Sequence, residues 1–194
     1  DAGGWAGVVD GAGWAGLLEW QPAAWWHVAL LWLVLSTPFG RVPIGAWGAR
    51  ALRGRVAPGV YRRGSATHLR MWAAEKWLAA SGALNISAAP FAKLTARMLG
   101  NRIGRDVDFQ TLPPVSGLLR VGAGAAIEPA VDLSGCWLDG DEFHVGTVTI
   151  GENARVGARS TLMGGTEIRD AAHVEAGSTV TGAKPVKKGA RWAG

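Results

Sequence analysis

The residues best suited to chemistry lie together in Gly135-Cys136-Trp137-Leu138-Asp139-Gly140-Asp141-Glu142-Phe143-His144-Val145-Gly146, which holds an imidazole, a thiol, an indole and three carboxylates. With an ordinary pKa of about 6.5, His144 could take a proton from an amine or hydroxyl as it attacks an acyl carbonyl near neutrality. A structural histidine bonded to the loop backbone is the other reading. Asp139, Asp141 and Glu142 could bind a cationic acceptor or orient His144, although Asp-Gly-Asp is equally ordinary turn chemistry. Cys136 could act as a nucleophile only if a neighbouring base lowered its pKa. Beside Trp137 it also fits a small packed residue. Only His144 and His173 are available in this half of the chain, too few for a three-imidazole site, so no metal is expected.

What must position these residues is a repeat of six. Ile103, Phe109, Val115, Val121, Ile127 and Leu133 are spaced by six, and so are Ile150, Val156, Leu162, Ile168, Val174, Val180, Val186 and Trp192. Small residues recur four places on: Ala125, Ala154, Ser160, Thr166, Ala172 and Ser178. An apolar leader every six residues predicts a parallel β-helix, each triangular turn made of three short strands with leaders stacked on the axis. The period falters between Leu133 and Ile150, whose separation falls one position short of a whole number of repeats. A one-residue slip reverses strand faces, so the intervening segment must leave the coil. Counted back from Ile150, His144 falls on an inward position.

Upstream, the chain divides by composition. Residues 1–13 read as a linker. Residues 14–47 contain the most apolar run and six of the 11 Trp, and predict a transmembrane or membrane-embedded helix; a buried or interfacial helix is the alternative. Residues 1–40 hold no Lys or Arg, whereas Arg41, Arg50, Arg53, Arg55, Arg62, Arg63 and Arg70 follow without one acid. Residues 48–64 therefore read as a basic juxtamembrane linker attracted to anionic lipid, with the downstream part on the cytoplasmic face of the cell membrane. No aromatic stacking platform accompanies the arginines, so nucleic acid is not expected as a partner. Residues 65–100 predict two capping helices. The first carries Leu69, Trp72, Ala73, Trp77 and Ala80 on one face; the second, from Pro90, carries Phe91, Leu94 and Met98. Residues 101–194 form the coil. A single cysteine excludes an internal disulfide, and the absence of a basic region before the apolar run argues against a signal peptide. Because it begins at Asp1 without Met, the chain reads as part of something longer.

Residues 141–194, with FHVGTVTIGENARVGARSTLMGG and VTGAKPVKKGARWAG, resemble the terminal coils of hexapeptide-repeat acyltransferases, which wind as a left-handed parallel β-helix. From about Tyr61 a closer resemblance is carried by YRRGSATHLRMW, LGNRIGRDVDFQTLPPVSGLLRVG, IEPAVDLSGCWLDGDEFHVG and GARSTL. These look like the C-terminal domains of ε-poly-lysine-synthetase-type nonribosomal peptide synthetases. In that family, membrane helices alternate with acetyltransferase-like domains that join amino acids released from a carrier thioester. The family often shows His before Trp in DLSG-x-W, where this chain has Cys136; His144 matches the other family histidine.

The resemblance implies an acyltransferase forming peptide or isopeptide bonds, with the phosphopantetheine thioester of a carrier domain as donor and no tightly bound cofactor. His144 would be the base, Trp137 a wall, and the acidic loop the holder of an ammonium group. Lys184, Lys187 and Lys188 could bind the pantetheine phosphate, or could be a solvated basic tail. Expected partners are carrier and adenylation domains of the same polypeptide, sister β-helix domains in a trimer or pseudo-trimer, and the lipid bilayer. An acetyl-CoA-dependent acetyltransferase and an inactive structural copy are the alternatives.

Overall fold

A computed structural model describes residues 25–83 and 89–194. The expected linker 1–13, and the part of the 14–47 segment before Trp25, lie outside the described residues. Beyond residue 101 the chain coils into a parallel β-solenoid. On its first face Ile103 pairs with Val121, Val121 with Ile150, Ile150 with Ile168, and Ile168 with Val186, giving five turns. On the second face Phe109, Ile127, Val156, Val174 and Trp192 stack in the same way. Leu162 pairs with Val180 on the third. All the sequence-derived leaders are buried except Trp192, which packs against the axis part-exposed. Each buried aliphatic side chain contributes about 1.5–3 kcal/mol of transfer free energy. The recurring small residues are buried at the corners, where the Ser160 and Thr166 hydroxyls donate to the carbonyls of Glu175 and Val180. Successive turns approach so closely that a Cβ on Gly122 would stand 2.6 Å from the Glu152 nitrogen.

The break in the period is larger than a slip. Ile103 and Val121 are ladder partners three whole repeats apart, whereas Val121 and its next partner, Ile150, are separated by almost two repeats more. The extra chain emerges as a hairpin of two strands, Cys136–Asp139 and Glu142–Val145, closed by Gly140 and Asp141. Gly140, at φ 55°, occupies the first turn position, where two-residue hairpins favour glycine. His144 is thus not on the coil axis at all.

Within the described residues, the expected helix of 14–47 is two helices. α1 (Trp25–Ser36) ends where Pro38 forces Thr37 into an extended conformation, and α2 (Pro38–Arg53) begins with that proline in its first turn. The two are bent by 62°; among the described residues no single helix is long and apolar enough to cross a membrane, though the pair passes that test together. The basic linker also resolves differently. Residues up to Arg53 are helical, and Gly59–Arg62 form a strand that pairs antiparallel with Glu142–Val145 of the hairpin. Extended backbone beside an open hairpin edge acquires a partner, whatever its charge.

α3 (Ala66–Ala80) and α4 (Ala89–Met98) occupy the expected places, α3 capped by the Ser65 hydroxyl, which accepts from the His68 N–H at 3.4 Å. The buried face of α3 is Met71, Ala74 and Leu78, whereas Leu69, Trp72 and Trp77 are exposed. The larger residues suggest a different face; of them Trp77 still reaches α2, its indole passing over Gly48 and donating to the Ile44 carbonyl. On α4, Phe91 and Met98 pack inward and Leu94 is exposed. Arg53, buried, donates to the carbonyls of Leu99 (3.1 Å) and Val115 (2.6 Å), tying α2 to the first turn of the coil.

Candidate functional site

The first turn of the solenoid is held open on its third face. Pro113 and Pro114 lack the N–H that a ladder requires, and no strand forms between Phe109 and Leu119. Thr111 replaces one ladder bond with its side chain, Oγ1 donating to the Val131 carbonyl at 2.7 Å. Asn101 secures the far side: Nδ2 donates to the Pro114 carbonyl at 2.9 Å, and Oδ1 accepts from the Leu119 N–H at 3.1 Å. Val115 is consequently drawn into the helical core instead of the coil axis. The gap becomes a cavity of about 550 Å³ between α3, α4 and the first two turns.

Met71, Glu75 and Leu78, spaced to share one face of α3, line one wall. Leu112, Pro113 and Pro114 line another, and Asp132 and Ser134 come from the second turn just before the hairpin. The walls are mainly apolar, and Glu75 and Asp132 are the two carboxylates that line them. Desolvation lifts the Glu75 carboxyl above its ordinary value; Lys76 opposes this and Asp132 reinforces it. Glu75 as a residue is nevertheless exposed, so the lift reflects a crowded carboxyl at the cavity edge and not full burial. Asp132 Oδ1 accepts from the Ser134 N–H at 2.9 Å, fixing the turn that carries it.

Cys136 belongs to this corner. Burial pushes its thiol up to about 11, Glu75 and Asp132 add to the rise, and a hydrogen bond with Ser134 opposes it. A thiol so placed remains protonated at neutrality and makes a poor nucleophile, contrary to the catalytic role considered for it.

Residues opposite one another in an antiparallel ladder share a face. Cys136 opposes Val145 and Leu138 opposes Phe143, on the side packed against the helices. Trp137 opposes His144 and Asp139 opposes Glu142, on the other side. The structure therefore brings His144, Trp137, Glu142 and Asp139 together but separates them from Cys136. The Trp137 and His144 rings stack at 4.8 Å and 5°. His144 Nε2 lies 3.2 Å from Glu142 Oε2, close enough for an ion pair if protonated. Yet the approach is misaligned, and the buried nitrogen has no hydrogen-bond partner, so proximity here does not amount to a bond. Asp141 is in the turn, its carbonyl accepting from the Arg63 N–H at 2.7 Å.

Lys184, Lys187 and Lys188 are exposed on the last turn, on either side of Val186. Lys184 follows the corner from which the hairpin emerges, about 10 Å further along the axis at the usual strand spacing; the other two turn the next corner. Glu75 and Asp132, which the sequence reading passed over, carry one legible signal: an acid on an amphipathic helix, and another one residue before an inward leader. Nothing in their spacing says that they meet.

Residues 147–182, the middle turns of the solenoid, match the family model described as the hexapeptide repeat of succinyl-transferase. At that level the coil is a hexapeptide-repeat, acyltransferase-like domain. No curated protein and no solved structure matched the chain. The acyltransferase-like coil thus supplies a rigid prism, with the cavity at its capped end and the hairpin beside it.

Proposed function

We propose that this domain transfers an acyl group from a pantetheine thioester to an amine, with the cavity as the place of reaction. The observation that carries this reading is the meeting of Glu75 and Asp132 at the edge of an apolar cavity on an acyltransferase-like coil. The amine enters as an ammonium held between the two carboxylates. Glu75 takes one proton, the freed nitrogen attacks the thioester carbonyl, a C–N bond forms and the C–S bond breaks. The second nitrogen proton goes to the leaving thiolate, so amide, thiol and one proton for solvent balance the equation. A base whose pKa is raised toward the working pH is better matched to this task than an ordinary carboxylate.

In the fuller form of the proposal, the donor is an aminoacyl thioester on a carrier domain of the same nonribosomal peptide synthetase polypeptide, and the coil is left-handed. Sister β-helix domains would be its neighbours, and α1 would seat it on a membrane. The exposed Lys184, Lys187 and Lys188 suit the phosphate of a pantetheine arm, from carrier or coenzyme A. A second reading keeps His144 as base, favoured by its buried and unpartnered Nε2 beside Glu142 and against Trp137. The deciding experiment supplies an aminoacyl-pantetheine thioester and an amine to wild type, Glu75→Gln and His144→Ala, and reads the amide by mass. Loss in Glu75→Gln alone supports the cavity. Loss in His144→Ala alone moves the chemistry to the hairpin face, and unchanged product in both excludes each as base.

A further inference from the structure

A second, smaller cavity lies at the opposite side of the cap. About 220 Å³ in volume, it opens where α1, α2 and α3 converge, and is lined by Leu35, Arg41, Ile44, Trp77, Ala80 and Ser81. Its one charged group is held in place. Arg41 Nε donates to the Leu35 carbonyl at 2.7 Å, which fixes the guanidinium across the α1–α2 bend. The remaining Arg41 nitrogens have no hydrogen-bond or ion-pair partner among the described residues. No Asp or Glu occurs in the sequence between Glu19 and Glu75. Trp77 forms a firm apolar wall, its indole N–H donating to the Ile44 carbonyl at 3.3 Å. Arg41 also stands in the first turn of α2, where the helix end adds positive potential. From this cavity α1 leads away with no buried residue along its length.

A fixed guanidinium with free donors calls for a phosphate or carboxylate, which it can grip with two parallel hydrogen bonds. An apolar floor beside it calls for hydrocarbon. We propose that this cavity binds one anionic amphiphile from the lipid phase, a phosphomonoester head group on Arg41 with the first methylenes against Trp77 and Ile44. The rest of its chain lies along α1. The site is independent of the acyl-transfer chemistry, and it differs from general attraction of a basic surface to lipid because it is stoichiometric and belongs to one arginine.

The test uses the full chain in a neutral detergent, titrated with phosphatidic acid, phosphatidylcholine or inorganic phosphate, with bound species counted by native mass spectrometry. Wild type is expected to take up a single phosphatidic acid at about tenfold lower concentration than phosphatidylcholine, the factor expected from a charge-assisted hydrogen bond. Arg41→Gln and Ala80→Phe, one removing the cation and the other filling the space, are each expected to abolish that preference. Arg50→Gln, which changes an exposed arginine on the same helix, is expected to retain it. Equal uptake of the two lipids, an unsaturable series of adducts, or an unchanged preference in Arg41→Gln would overturn the proposal. So would competition by inorganic phosphate at the same concentration, which would reduce the site to a bare anion contact.

Discussion

The Thr111 hydroxyl donates to the carbonyl of Val131 at 2.7 Å, taking the place of a backbone bond that the Pro113–Pro114 segment cannot make. One side chain thereby closes the first turn onto the second while leaving the cavity between them. Thr111→Val keeps the shape and removes the donor, leaving a buried carbonyl unsatisfied. The expected loss is about 1–3 kcal/mol, seen as a lower urea midpoint with an unchanged denaturant slope. A neutral result would mean that water replaces the hydroxyl.

For the proposed chemistry, pH dependence follows from the Glu75 shift. Desolvation and Asp132 lift the carboxyl above its ordinary 4.5 despite Lys76. A base must be ionised, so kcat/KM should rise with pH through this raised value and level off above it. Glu75→Gln should lower turnover by about 10²–10⁴-fold and remove that acid limb. The stability contribution has the opposite trend. The folded state favours the protonated acid, so this group stabilises most at low pH, and its contribution declines as pH rises through the folded pKa.

Cys136 offers a check that needs no substrate. With its thiol pushed from 9.0 up to about 11 by burial first and the nearby carboxylates second, iodoacetamide labelling should be slow at neutrality and accelerate toward pH 11. Labelling that is complete within minutes at pH 7 would show that this corner is open and electropositive. Below about pH 9 the thiol contributes no slope to stability; between 9 and 11 the unfolded chain loses its proton first, and stability falls.

Ile168 is fully buried and sits between Ile150 and Val186 on the first face of the coil. Ile168→Ala should cost about 2–5 kcal/mol, because rigid neighbours above and below cannot collapse into the space. The neighbouring Glu167, exposed and pointing outward, should tolerate Ala within about 0.5 kcal/mol. Thermal melts of the two variants distinguish a stacked axis from a loose one.

The membrane seat proposed for α1 predicts co-sedimentation of the full chain with vesicles containing anionic lipid, and weaker binding to zwitterionic ones. Trp32→Asp and Leu31→Asp, both on exposed positions, should reduce binding to either without altering the fold. Equal recovery of wild type and both variants with the vesicles would place the binding elsewhere.

The six-residue period alone determined the solenoid, its axis residues apart from Val115, and its small corners, because a repeating prism imposes the same steric demand on every turn and so writes it into the sequence. The start of α3 at Ser65 was equally legible, since capping is local chemistry. Proximity between distant segments has no such signature. That Gly59–Arg62 would pair with the second hairpin strand and that Met71 rather than Trp72 would face inward depended on how the helices dock against the coil, and the hairpin register put Cys136 and His144 on opposite faces. Glu75 and Asp132 stand far apart in the sequence, one on a helix and the other in the second coil turn. Only that docking sets their carboxylates at one cavity edge, where Asp132 adds to the rise in the proton affinity of Glu75.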